Sequence, residues 1–89
     1  MAEITVDPRE DDAYTVKVNE PGSLSTHQVT VSAADLSRFG GGRSAEELIE
    51  ASFRFLLDRE PKESVLGQFD LSVISRYFPD YPSRIGDYL

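Results

Sequence analysis

The hydrophobic period of this chain changes once, near residue 32, and that change limits the folds open to it. In the first part apolar and polar residues alternate, so that Tyr14, Val16 and Val18 fall on one face of a predicted strand. A period of two is typical of a strand with one buried face. Beyond residue 32 the apolar spacing becomes helical. Strands that come first and helices that come after them predict an α+β domain rather than alternating β/α units.

The first 31 residues predict a three-stranded antiparallel β-meander. Its strands cover residues 4–6, 14–18 and 26–31. Pro21 and Gly22 suit the centre of a type II turn between the second and third strands, because proline fixes φ and glycine accepts the positive φ that follows. A lone hairpin is marginal in water, so we expect a helix to cover the apolar face of the meander.

Residues 32–79 predict the helical part of the same domain, beginning with a short turn up to Phe39. Ser44 and Glu47 have the spacing of a capping box, which predicts the start of a main helix. This helix should run to about Arg59, because Pro61 forbids its direct continuation. We expect it to pack on the sheet.

One or two short C-terminal helices are expected after the main helix. The first covers residues 62–66, and the second covers residues 71–78 with Asp70 as its N-cap. Residues 80–89 are expected to form a loose tail, apart from any docking of Tyr81 or Ile85. The whole chain, residues 1–89, is therefore predicted to be a single domain.

The main helix has a broader apolar face than one sheet needs. At about 100° per residue its apolar positions and one serine fill roughly 240°, whereas a surface helix needs an apolar stripe of little more than about 100°. The centre of this arc, around Leu48, Ser52 and Leu56, is expected to face the sheet. The arc indicates either that the domain wraps the helix on most sides or that one flank meets another molecule. The residues in the arc are Leu48, Ile49, Ala51, Ser52, Phe53, Phe55, Leu56 and Leu57.

The composition is acidic and free of cysteine. The net charge of −7, from 16 acidic and nine basic side chains, argues against binding to DNA, which is driven largely by Lys and Arg contacts to phosphates. A chain without cysteine suits a reducing cytosol, and no signal segment is visible at the N-terminus. We therefore expect a cytoplasmic protein with no membrane partner.

The loop Gly-Gly-Gly-Arg-Ser is the one stretch that has features of a small-anion site. Flexible backbone before a helix N-terminus offers free N–H groups, and Arg43 adds positive charge. The spacings of a P-loop and of a dinucleotide fingerprint are missing, and Glu46 and Glu47 would compete with an anion. A flexible connector is the simpler interpretation, and anion binding stays an alternative. The residues concerned are Gly41, Gly42, Arg43 and Ser44.

No catalytic or metal-binding pattern stands out in the sequence. His27 is the only histidine and the chain has no cysteine, so a zinc site has almost no support and we expect a structural role for this side chain. The acids between Asp7 and Asp12 lack the spacing and the glycine of an EF-hand loop. The serines, Ser25 included, show no nucleophile elbow. We therefore expect neither an enzyme nor a bound cofactor.

A set of short segments lies between residues 44 and 79: SAEELIEASF at 44–53, FLL at 55–57, REP at 59–61, FDL at 69–71, and Ile74 followed by Tyr77-Phe78-Pro79. Together these segments resemble a family of short, uncharacterised bacterial proteins with no assigned function. The likeness covers roughly residues 24–81 and implies a cytoplasmic bacterial protein of similar length. It implies no activity, ligand or catalytic residue.

The function predicted from the sequence is protein–protein contact without catalysis. We expect either self-association to a homodimer or binding of an unidentified protein. The expected interface residues are Phe53, Leu57, Tyr77 and Tyr81, because aromatic residues are favoured at interface cores. The competing interpretation is that they complete the core of a monomer. A weaker alternative is a regulator that contacts nucleic acid through Arg76 and Arg84, although the last helix has few side chains that read bases.

Overall fold

Residues 2–89, which the computed structural model describes, form a sheet of four strands with helices packed on one face. The prediction of an α+β protein is confirmed. The strands, in their spatial order, are β1 (Glu3–Pro8), β2 (Ala13–Glu20), β3 (Ser23–Thr30) and β4 (Gln68–Asp70). The helices are α1 (Ala33–Phe39), α2 (Ala45–Leu57), α3 (Val73–Tyr77) and α4 (Tyr81–Arg84), with 3-10 turns at Lys62–Ser64 and Ile85–Asp87.

The sheet is mixed, because a fourth strand extends the predicted meander. β1 pairs antiparallel with β2, and β2 pairs antiparallel with β3, whereas β4 pairs parallel with β3 and places Phe69 opposite Val29. β1 is therefore the edge strand on one side of the sheet. The prediction of three strands is therefore corrected to four. β4 was not predicted because a strand of three residues is too short to show a period of two.

Asp70 ends β4 instead of capping a helix over residues 71–78. One of its carboxylate oxygens accepts a hydrogen bond from the Thr30 hydroxyl at 2.7 Å, and the other accepts the backbone N–H of Ser72 at 3.1 Å. Partial burial raises the pKa of this carboxyl, but hydrogen bonds from Ser72 and Thr30 outweigh that effect and hold the pKa below its ordinary value of 3.8. The side chain thus shapes the turn that precedes α3.

The capping box predicted at the start of the main helix is confirmed. The Ser44 hydroxyl oxygen accepts the backbone N–H of Glu47 at 3.2 Å, and the Glu47 carboxylate accepts the backbone N–H of Ser44 at 3.2 Å. Before it, Gly41 and Gly42 have φ of 58° and 86°, a left-handed backbone that glycine adopts at little cost. These two residues form the turn between α1 and α2.

The broad apolar arc of α2 is covered from two sides by the chain itself. The Phe53 ring lies 5.3 Å from the His27 ring of β3 and 6.1 Å from the Phe69 ring of β4, measured between centroids. The Ser52 hydroxyl lies 2.7 Å from the hydroxyl of Tyr81 in α4. Phe53 therefore faces the sheet and Ser52 faces the C-terminal segment, which corrects the expectation that Ser52 faces the sheet.

The C-terminal segment, predicted as a loose tail, contains α4 and the last 3-10 turn in the structure. Tyr81 and Ile85 are buried, and the rings of Tyr81 and Tyr88 lie 5.2 and 5.8 Å from the Phe55 ring. Arg59 stacks over Phe55 at 3.6 Å and donates to a carboxylate oxygen of Asp80 at 2.7 Å. A helix this short has little stability of its own, so burial of its aromatic side chains holds it in place.

Acid is expected to destabilise the fold. The hydrogen bond from Arg59 holds the pKa of Asp80 below its ordinary value of 3.8, and the Ser44 backbone N–H holds the pKa of Glu47 below 4.5. Carboxyls with lowered pKa values contribute stability that is present above their ordinary pKa and lost as the pH falls through the folded-state pKa. The free energy of unfolding should therefore fall steadily below about pH 4.

Urea denaturation at a series of pH values would measure this loss. Asp80→Asn should be less stable than the wild type at neutral pH and should lose less on acidification, because it has one depressed carboxyl fewer. A wild type whose stability stays constant down to about pH 3 would contradict the prediction, since the ordinary pKa values of Asp and Glu lie near 4.

Candidate functional site

An apolar groove lies where the end of α2, the loop before β4 and α3 meet. Its volume is about 260 Å³. Leu56, Phe69 and Ile74 line it and are buried, whereas Leu66 and Tyr77 line it with 47% and 68% of their surface exposed. Two of the three large apolar side chains that are exposed among residues 2–89 thus stand at one groove. A cluster of this kind usually marks a binding surface.

The loop that carries Leu66 is held to the sheet by its backbone. The His27 ring nitrogen Nδ1 lies 2.8 Å from the carbonyl oxygen of Leu66, and the backbone N–H of Gln28 donates to the carbonyl oxygen of Gly67 at 2.8 Å. These bonds point the backbone carbonyl groups of Leu66 and Gly67 toward β3. The Leu66 side chain is left at the groove, where folding of the single chain does not bury it.

The charged side chains near the groove have opposite signs. Glu60 lines the groove and is half-buried, and Arg76 is exposed next to Tyr77 on α3. Neither takes part in an ion pair within the part of the chain that the structure describes. The surface therefore offers one free anion and one free cation beside an apolar groove.

The four predicted interface residues do not lie together. Tyr77 lines the groove, Leu57 is half-buried against the core outside it, and Phe53 and Tyr81 are fully buried. Burial raises the pKa of the Tyr81 hydroxyl to about 12. Phe53 and Tyr81 thus complete the core of the single chain, and of the predicted set only Tyr77 stands at the exposed rim.

The predicted anion loop uses its polar groups internally. The Ser44 backbone N–H and hydroxyl both contact the Glu47 carboxylate, and an Arg43 guanidinium nitrogen lies 3.5 Å from the same carboxylate. Gly41 and Gly42 are exposed. An anion at this helix N-terminus would have to displace Glu47, so the geometry favours a connector over a binding site.

The arginines of the nucleic-acid alternative lie on separate short helices. Arg76 is on α3, which has five residues, and Arg84 is on α4, where it lies 3.8 Å from Asp87. A recognition helix of the helix-turn-helix class presents several base-reading side chains in the major groove. Helix α3 is too short to present such a set.

Sequence reasoning missed the loop and strand residues of the groove. Leu66 and Phe69 were not among the candidates, because β4 was not recognised and Leu66 fell within a predicted helical turn.

No group of three or more His, Cys, Asp or Glu side chains within residues 2–89 is placed to hold a metal ion. In the same part of the chain, no helix has both the length and the apolar character needed to cross a membrane.

Comparisons of the chain with protein-family models, with curated proteins and with solved structures each found no match. The resemblance to short bacterial proteins therefore stays a prediction. The groove and the exposed side chains around it are the surface of the described residues that best suits a binding function.

Proposed function

We propose that this protein acts by protein–protein contact through the groove, without catalysis, and that the first occupant of the groove is a second copy of the chain. The observation that carries the proposal is the position of exposed Leu66 and Tyr77 beside an apolar groove of about 260 Å³. Leaving such side chains in water forgoes about 1.5–3 kcal/mol for each one that could be fully buried.

A second copy suits this surface because the groove and the side chain that could fill it are adjacent. In a two-fold dimer the same patch meets itself. Tyr77 of each copy can then enter the groove of the other, beside Leu66 and Val73. A flat apolar patch would offer no such reciprocal fit, and a groove without a neighbouring exposed aromatic side chain would need a different partner.

The charges near the groove suit the same symmetric arrangement. Arg76 precedes Tyr77 on α3 and Glu60 lines the groove, so both charges lie close to the proposed contact. Two ion pairs would form across the contact from side chains that have no ion-pair partner within residues 2–89. They would offset part of the repulsion between two copies that each have a net charge of −7.

The molar mass in solution, measured by light scattering, tests the proposal. At about 100 μM we expect a dimer, since a Kd near 1 μM leaves most chains assembled at that concentration. Tyr77→Ser should weaken the dimer by about 30-fold or more, because an aromatic side chain buried at an interface centre commonly contributes about 2 kcal/mol. The monomer of the Tyr77→Ser variant should stay folded.

Leu24→Ser is the matched control. Leu24 is also large, apolar and exposed, at 59%, but it lies at the start of β3 and does not line the groove. This variant should dimerise like the wild type. A wild type that stays monomeric at about 100 μM would contradict the proposal, and so would a Leu24→Ser variant that dissociates as readily as Tyr77→Ser.

A further inference from the structure

Ser25 and His27 of β3 form a hydrogen-bonded pair that a backbone carbonyl continues. The Ser25 Oγ lies 2.8 Å from Nε2 of His27, and Nδ1 of the same ring lies 2.8 Å from the carbonyl oxygen of Leu66. The two side chains are two residues apart on one strand, so they project from the same face. The Ser25 hydroxyl, the His27 imidazole and the carbonyl oxygen that orients the imidazole thus form a hydrogen-bonded chain. This is the pattern of an activated nucleophile.

The hydrogen-bond partners determine which nitrogen of His27 carries the proton. A carbonyl oxygen accepts and cannot donate, so Nδ1 donates its N–H to Leu66. In the neutral ring Nε2 then has a free lone pair, and the Ser25 hydroxyl donates to it. This is the tautomer in which a histidine can take a proton from a serine.

The imidazole is held in this orientation from several sides. Only 2% of His27 is exposed, and its ring lies 5.3 Å from the Phe53 ring of α2. The bond from the Gln28 backbone N–H to Gly67 fixes the loop that supplies the Leu66 carbonyl. Ser25 itself is only half-buried, so part of this residue is open to solvent while the base stays shielded.

We propose that Ser25 is an acyl-accepting nucleophile with His27 as its general base, and that the substrate class is an activated carboxylic ester. A bond forms between the Ser25 Oγ and the acyl carbon, and the bond between that carbon and the leaving oxygen breaks. The serine proton moves to Nε2 of His27 and then to the leaving oxygen. The products are acylated Ser25 and a free alcohol, and atoms and charges balance without another reactant.

The expected chemistry is a single transfer to each chain, and it does not depend on the proposed self-association. A positioned general base accelerates proton transfer by about 10²–10⁴-fold. Here the third group is a neutral carbonyl, which stabilises the imidazolium less than the carboxylate of a hydrolase triad does. The acceleration should therefore lie near the lower limit, about 100-fold.

The reaction of the full-length protein with 4-nitrophenyl acetate tests this inference. Release of 4-nitrophenolate reports the rate, and peptide mass mapping locates each acetyl group. The ester at Ser25 should form about 100-fold faster than one at Ser37, which is an exposed serine on α1. Hydroxylamine should remove the acetyl group from Ser25 and leave the amides formed at lysines. Unfolding in urea should abolish the difference between the two serines.

Variants of the two side chains complete the test. Ser25→Ala should remove the fast acetylation, and His27→Gln should slow it about 100-fold while Ser37 reacts at an unchanged rate. If His27→Gln does not fold by circular dichroism, the comparison of native and urea-unfolded wild type decides the question. Equal rates at Ser25 and Ser37 in the native protein would overturn the inference. A folded His27→Gln variant that keeps the full rate would do the same.

Discussion

Replacing Tyr81 with alanine is expected to lower the free energy of unfolding by about 3–5 kcal/mol, the usual cost of deleting a large buried aromatic side chain. Tyr81 is fully buried, and its ring lies 5.1 Å from the Phe39 ring and 5.2 Å from the Phe55 ring. A small domain has only about 5–15 kcal/mol in total. Urea denaturation followed by circular dichroism would measure the loss.

Two further variants separate the contributions of the Tyr81 ring and hydroxyl. The Ser52 hydroxyl donates its one proton to the carbonyl oxygen of Leu48 at 2.7 Å, so the Tyr81 hydroxyl is the donor in its bond to Ser52. Tyr81→Phe should therefore cost about 1 kcal/mol. Tyr77→Ala removes the same type of side chain from an exposed position and should change monomer stability by less than about 0.5 kcal/mol. Equal losses in Tyr81→Ala and Tyr77→Ala would show that the C-terminal segment does not dock.

Phe53→Ala is expected to lower the free energy of unfolding by a similar amount, about 3–5 kcal/mol. Its ring is fully buried between α2 and the sheet, beside His27 and Phe69. The result also separates two interpretations of this residue. A core residue affects unfolding at every protein concentration, whereas an interface residue affects mainly association, which depends on concentration.

The measurement for Phe53 is therefore urea denaturation at two protein concentrations, one well below and one well above the dimer Kd. Leu24→Ala serves as the control, because it removes a large apolar side chain that is exposed and should change stability by less than about 0.5 kcal/mol. A Phe53→Ala variant with wild-type monomer stability and weakened association would contradict a core role and would support an interface role for this residue.

The elements predicted correctly are those that depend on local rules. The alternation around Val16 and the spacing of Ser44 and Glu47 each act within a few residues, and the structure contains β2 and the capping box as expected. β4 was missed because its stability comes from pairing with β3, whose partner residues lie 40 positions away in the sequence. The local spacing of apolar residues gives no information about a contact between segments so far apart in the sequence.

The C-terminal segment and the groove were hard to predict for the same physical reason. Helix α4 spans four residues, so tertiary burial of Tyr81 decides its position rather than helix propensity. Leu66 is exposed because His27 and Gln28 hold its loop to β3. Tyr77 was among the predicted interface residues, but the groove beside it is formed by segments that meet only in the folded chain.

The position of β1 at the edge of the sheet has a consequence for aggregation. An edge strand offers unpaired N–H and C=O groups to another chain. Antiparallel pairing of two β1 strands about Thr5 would place Glu3 of one copy opposite Asp7 of the other, and parallel in-register pairing would align each acid with itself. Like charges directly opposite are destabilising. This edge therefore resists stacking into fibres, and assembly through the groove can stop at two chains.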